Sequence, residues 1–272
     1  MDKELSTVIL EKIGGTGVAR IIFNRPNKRN AMDAQLVGDI MSALEEVRAD
    51  RQINVVITKG NGPSYCSGLD LYYLRSFSEG PPADWDKSSP TAVMFEAIRN
   101  FPKVTIAQVH GYCLGGGLAL MNSHDLVVAA VNAQIGMPEI LRGSFGQMAT
   151  STLFHAGVPM KKAALIQLGG QNISGAEADR LGLVSMAVEE TELETVTLKL
   201  AQEIATRHPA ALSSAKIAVQ MGRDLSLPEA MRLDQLVAAR QRLMVDPLSK
   251  VEEYLSSQKG GPDATYRRSD RS

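Results

Sequence analysis

The chain has 272 residues, 44% of them hydrophobic, and its 29 Lys+Arg against 30 Asp+Glu give a formal net charge of −1. That length can bury one large core, the charge balance leaves no basic stripe for nucleic acid, and no apolar run approaches the ~20 residues of a membrane span. Cys66 and Cys113 are the only cysteines, which excludes a disulfide framework and a four-cysteine zinc site and predicts no metal centre. Both cysteines read as small buried fillers. With Met1-Asp2-Lys3-Glu4 unlike a secretory leader, the expectation is a cytoplasmic protein.

Thr7-Val8-Ile9-Leu10 and Val18 to Phe23 read as a hairpin turned by Gly14-Gly15-Thr16-Gly17. The polar loop Asn24 to Asn30 carries three cations. Ala31 to Arg51 follows as an amphipathic helix with Leu36, Ile40, Leu44 and Val47 at helical spacing. Val55 to Thr58 is a short buried strand leading into the glycine-punctuated stretch Gly60 to Leu71. Residues 75–90 are polar and proline-bearing and read as a loop near an entrance, and Ala92 to Arg99 as helix. Val104 to Val109, rich in β-branched residues, is strand.

Beyond it lies Val109-His110-Gly111-Tyr112-Cys113-Leu114-Gly115-Gly116-Gly117, followed by the helical Leu118 to Asn122. Consecutive glycines there leave backbone N–H groups bare where a helix begins, and such an end attracts a negative oxygen. A plain strand-to-helix turn is the alternative reading. Asp125 to Ala130 is a further buried strand, and Gln134 to Ile140 is extended because Pro138 disfavours helix before it. Helical segments occupy roughly 148–156, 160–168 and 175–181, a last strand runs over Leu183 to Val188, and Thr191 to about Gln258 is helical with a break at His208-Pro209. The tail from Lys259 to Ser272 is expected to be loose. The division expected is a core over 1–195, a helical region over 196–258 and the tail over 259–272.

Taken in order, Asn24-Arg25-Pro26-Asn27-Lys28-Arg29-Asn30-Ala31, Cys66-Ser67-Gly68-Leu69-Asp70-Leu71, His110-Gly111-Tyr112-Cys113-Leu114-Gly115-Gly116-Gly117 and Met137-Pro138-Glu139-Ile140 resemble the enoyl-CoA hydratase/isomerase (crotonase) superfamily. Gly175-Ala176-Glu177-Ala178 before Gly182-Leu183-Val184, and Pro209-Ala210-Ala211-Leu212 before Ala215-Lys216, are similar too, so the resemblance spans almost the whole chain. It implies an α/β fold, a spiral of strand–strand–helix repeats with a C-terminal helical trimerisation region, assembled as a trimer or dimer of trimers. It also implies an acyl-CoA thioester as substrate, with no cofactor beyond its CoA moiety. The enolate oxygen would be held by the N–H groups of Leu69 and Gly116. Lys28 would face the CoA phosphates, and Ser67, Gly68, Leu69, Asp70, Leu71, Gly115, Ala119 and Phe145 would line the CoA and acyl site. For Asp70, read from its residues alone, a turn-stabilising hydrogen bond is the simpler role. Lys259 would reach a neighbouring subunit's nucleotide.

The departures bear on the reaction. Hydratases of the superfamily use two glutamates; the first position here is Ala119, which cannot carry a proton, and the second is Glu139. A carboxylate in a cleft bounded by Met137, Leu141, Phe145 and Met148 is suited to general acid–base work. One carboxylate suffices for double-bond isomerisation, or for hydration. Hydroxycinnamoyl-CoA hydratase-lyases also lack the first glutamate, but use a tyrosine from the C-terminal helices where Leu233 to Ala239 has none. Decarboxylation and thioester hydrolysis are further alternatives, as is a CoA-binding protein without catalysis. Phe145, Gln147 and Met148 reshape the acyl pocket. His124, a residue unusual at its position in the superfamily, reads as satisfying a core hydrogen bond.

Overall fold

The fold starts from a reversal of the chain at Gly15 and Gly17, both at positive φ (+71° and +73°). It brings β1 (Val8–Ile13) antiparallel to β2 (Val18–Phe23), with Val8 opposite Phe23 and Ile13 opposite Val18. This is a computed structural model, and it describes residues 5–78 and 89–245 with Val251, Leu255 and Ser256. Its contacts divide the chain into two units, Met1–Arg207 and His208–Ser272.

After a 3-10 turn at Pro26–Lys28, α1 (Ala34–Ala49) begins later than the expected Ala31. Met32 is held in a parallel bridge with Leu69 and Asp33 is extended, at φ −114° and ψ −177°, so the helix cannot include them. Asp33 supplies the cap, its carboxylate accepting the Leu36 N–H at 2.9 Å. Leu36, Ile40, Leu44 and Val47 form the buried face as their spacing predicts, each contributing about 1.5–3 kcal/mol by burial.

β3 (Val55–Gly60) pairs parallel with β2. Helices α2 (Leu71–Ser78) and α3 (Pro90–Arg99) follow. The loop expected over 75–90 is therefore helical at its start; its middle, 79–88, lies outside the described residues. Next come β4 (Val104–Val109), β5 (Tyr112–Leu114), α4 (Gly116–Asn122), β6 (Leu126–Ala130) and β7 (Gln134–Gly136). The extended segment expected over Gln134 to Ile140 is present at its start as β7, and a 3-10 helix at Pro138–Arg142 replaces its end. Then α5 (Gln147–His155), α6 (Met160–Gly169), β8 (Ile173–Ser174), α7 (Gly175–Arg180), β9 (Met186–Val188) and α8 (Leu193–Ala205) complete the first unit. The last strand is shorter than expected because Leu183 to Ser185 turn into it.

One sheet has the order β1-β2-β3-β4-β6-β9, parallel except for β1; a second, three-stranded sheet has the order β5-β7-β8. Consecutive strands β4 and β5, then β6 and β7, are shared between the two sheets before each helix. This is the strand–strand–helix repeat of the expected α/β fold. Every residue of β4 is buried, as in a parallel strand covered on both faces.

The second unit holds α9 (Pro209–Gly222) and α10 (Leu227–Met244). His208 starts α9, its Nδ1 accepting the Ala210 N–H at 3.2 Å. A second break precedes α10, where the Ser226 N–H donates to Glu229 at 2.9 Å. The tail with Lys259 lies outside the described residues.

Asp39, fully buried on α1, anchors the chain entering β1. Its carboxylate accepts from Ser6 N (3.0 Å), Thr7 N (2.9 Å), Thr7 Oγ1 (2.8 Å) and Gln35 Nε2 (2.8 Å). Desolvation pushes this carboxyl up, but the four donors outweigh it and hold it below its ordinary 3.8. Its contribution to stability is therefore present above that value and lost as pH falls through the lower folded-state one. Asp39→Asn puts an amide donor where only an acceptor fits, and should cost about 1–3 kcal/mol in urea unfolding at pH 7. The difference from wild type should shrink below pH 3.8.

Candidate active site

Three backbone stitches build the site. Cys66 and Cys113 form a parallel bridge, with Cys66 N donating to Tyr112 O at 3.1 Å and Leu114 N to Cys66 O at 3.0 Å. Met32 and Leu69 form another, with Met32 N donating to Gly68 O (2.8 Å) and Asp70 N to Met32 O (2.9 Å). Gly115 N donates to Gly136 O at 2.9 Å, tying the glycine turn to β7. The glycine stretch is thus not a single strand-to-helix turn: β5 intervenes, and its pairing places Leu114 to Gly116 against Cys66 to Leu69.

Gly68, at φ +100°, allows a close approach, since a Cβ there would lie 2.9 Å from Leu114 O and 3.4 Å from Gly116 N. From the other side, a Cβ on Gly116 would lie 3.5 Å from Leu69 N. The amides of Leu69 and Gly116 therefore come from separate loops into one place. Neither donates to another group among the described residues.

Glu139 lies against Gly115, in the first turn of the 3-10 helix, and is half-buried. Its Oε2 is buried and has no hydrogen-bond partner among the described residues. Its Oε1 occupies the space that a Gly115 side chain would need: a Cβ there would be 1.8 Å away. Gly115 also sits at φ +52°. Both the conformation and the carboxylate thus require glycine.

Together these groups wall a cavity of about 620 Å³. Lys28, Ser67, Gly68, Leu69, Asp70, Leu71, Gly115, Gly116, Glu139 and Phe145 all line it. Ala119 does not; it is completely buried, its N–H bonded to Gly115 O at 3.1 Å. Of the four residues expected to bound the cleft, Phe145 and Met148 line it, whereas Met137 is buried in the core and Leu141 is outside the wall.

Sequence reading missed the aromatic supports. Lys28 Nζ lies 5.4 Å from the Tyr72 ring centroid, and the Arg29 guanidinium 4.8 Å from that of Tyr112. It also missed the scaffold of the cation loop. Asn30 is buried and bonds Ser64 O at 2.7 Å and Arg25 N at 2.8 Å. Arg25 in turn meets Asp33 at 2.8 Å and Asp70 at 3.2 Å. Asp70 also accepts the Tyr72 N–H at 3.0 Å, the turn-stabilising bond expected of it. Desolvation raises its carboxyl, and these donors more than offset that, leaving it below the usual range. Burial pushes the Cys66 thiol up to about 12 and that of Cys113 upward too, as befits inert fillers.

The family model described as enoyl-CoA hydratase/isomerase matches residues 14–247. The chain belongs to this family, the crotonase superfamily. It is 35% identical over 231 residues to the bovine enoyl-CoA hydratase domain-containing protein 2, mitochondrial, covering 82% of this chain and 77% of that one. It is 31% identical over 213 residues to the hydroxycinnamoyl-CoA hydratase-lyase of Pseudomonas fluorescens, covering 77% of each. Among solved structures, an enoyl-CoA hydratase from Geobacillus kaustophilus superposes with a TM-score of 0.85 at 26% identity, over 94% of this chain and 97% of that one. The crotonase fold is thus common to this chain and its relatives. No described helix is long and apolar enough to cross a membrane, and no cluster that could hold a metal is found among the described residues.

Gly115→Ala tests the packing of the site. The new Cβ must displace the Glu139 carboxylate, so a crystal structure of the variant should show Glu139 in another rotamer. Thermal unfolding should reveal a loss of about 1–3 kcal/mol from the strained φ.

Proposed function

We propose that the chain binds an acyl-CoA thioester with its carbonyl oxygen between the N–H groups of Leu69 and Gly116, and that Glu139 alone moves the proton. The observation that carries this reading is the pair of undonated amides from two loops sharing one cavity with a carboxylate whose Oε2 has no partner among the described residues. Such donors act where charge develops, each worth about 10²–10³ in rate. Glu139 would take a proton from the α-carbon of a 3-enoyl thioester, leaving the negative charge on the thioester oxygen. It would then return the proton at the γ-carbon to give the 2-enoyl product. Isomerisation is favoured because the other wall carboxylate, Asp70, is engaged by Arg25 and the turn, while position 119 carries no acid.

Hydration is the second reading, supported by relatives named as hydratases, among them the (E)-benzylidenesuccinyl-CoA hydratase of Thauera aromatica at 29% identity. In either case Lys28, held over Tyr72, is placed to meet CoA phosphates. Ser67, Gly68 and Leu71 would line the CoA arm, and Phe145 the acyl group. No cofactor beyond CoA is invoked. The two buried thiols fit a reducing compartment, for which we propose the cytoplasm, although the bovine relative is named as mitochondrial. We further propose assembly as a trimer or dimer of trimers through α9 and α10, where Val219, Leu227, Leu236 and Leu243 are 73%, 74%, 70% and 90% exposed.

In heavy water, incubation with 3-enoyl-CoA and 2-enoyl-CoA thioesters should place deuterium on the acyl chain. Glu139→Gln should slow this by about 10²–10⁴. Unchanged exchange in the variant would remove Glu139 from the mechanism. Product masses separate the two readings, since isomerisation leaves the mass unchanged and hydration adds a water. Light scattering on the full chain should give a multiple of three protomers; a monomer at micromolar concentration would refute the assembly.

A further inference from the structure

The two loops are also joined through the core, by side chains. Tyr65, Thr58 and His124 are 0%, 1% and 9% exposed. His124 Nδ1 lies 2.8 Å from Leu120 O, His124 Nε2 lies 2.8 Å from Thr58 Oγ1, and Thr58 Oγ1 lies 3.0 Å from the Tyr65 hydroxyl. The polarity of this chain can be deduced. A carbonyl oxygen only accepts, so Nδ1 carries the proton and donates to Leu120. In the neutral ring Nε2 is then an acceptor and takes the Thr58 O–H, whose oxygen accepts the Tyr65 O–H. Every proton in this arrangement has an acceptor. With an imidazolium the Thr58 hydroxyl would turn toward Tyr65, and the Tyr65 O–H would have no acceptor among the described residues.

The ends of the chain lie on the elements that matter. Tyr65 stands four residues before Leu69 in the same loop, braced by the Phe23 ring at a centroid distance of 5.4 Å. Leu120 belongs to α4, whose first residue is Gly116. Thr58 is on β3, which leads into the Tyr65 loop. We infer that Tyr65, Thr58 and His124 are positioning residues: their one-way hydrogen-bond chain sets the spacing between the Leu69 and Gly116 amides. The inference rests on the proposed role of those amides and adds to it the buried device that holds them in register.

The probe is hexanoyl-CoA carrying ¹³C at the thioester carbonyl, bound to the full chain and read by isotope-edited infrared spectroscopy. Amides gripping the oxygen lower the carbonyl stretch of the bound ester. In Thr58→Val the downshift should fall to about half or less, with hexanoyl-CoA affinity within about threefold of wild type, because only the aim of the two donors changes. Thr58→Ser should restore it. Tyr65→Phe keeps the ring and loses only the first donor; it should show a smaller loss, and it decides the matter if circular dichroism shows Thr58→Val unfolded. Full downshift in the folded variants overturns the inference and leaves the proposed function standing. No downshift in the wild type overturns the proposed function itself. Nitrogen-15 spectra of His124 should show a protonated Nδ1 and a bare Nε2, and the opposite tautomer would also overturn the chain's direction.

Discussion

The site depends on two backbone hydrogen bonds at one residue, from Cys66 N to Tyr112 O and from Leu114 N to Cys66 O. They pair a stretch that would otherwise be loop with the short strand β5 and so fix the approach of two glycine-rich turns from distant parts of the chain. Polar backbone at such depth must be paired, and this pairing leaves over the amides of Leu69 and Gly116. The Cys66 side chain contributes bulk rather than chemistry, and its raised thiol keeps it so.

Charge is distributed with similar economy. Of the two carboxylates that the described residues bring to the cavity wall, Asp70 is bound by Arg25 and by the N–H of Tyr72 and serves the loop's shape. Glu139 has a buried oxygen with no partner among the described residues. A buried acceptor without a partner costs stability, and such a cost is borne where a ligand or a transferred proton repays it. The cations of the same wall lean on aromatic rings, Lys28 on Tyr72 and Arg29 on Tyr112, which limits their conformational freedom before any phosphate arrives.

Much of this was legible in the residues. The strands of the main sheet follow from β-branched runs, and α1 from its buried stripe. The two glycine stretches announced a place where backbone comes close. What could not be read was local geometry that neighbours impose. The start of α1 is delayed because Met32 is paired with Leu69, a long-range tie with no periodic signal. β5 has only three residues and exists through its pairing with β7 and its bridge to Cys66. The 3-10 helix bearing Glu139 departs from the extended segment that Pro138 suggested, because proline also suits the first position of a helical turn. Leu141 and Met137 look alike in sequence, yet one lies 69% exposed and the other is fully buried.

Position 119 bears on how this chain could change its chemistry. Ala119 sits without exposure inside α4, its backbone locked to Gly115. A glutamate introduced there would put a longer, charged side chain at a position with no exposure, so its neighbours would have to move to make room. A second carboxylate at this position would thus have to arrive together with repacking around α4.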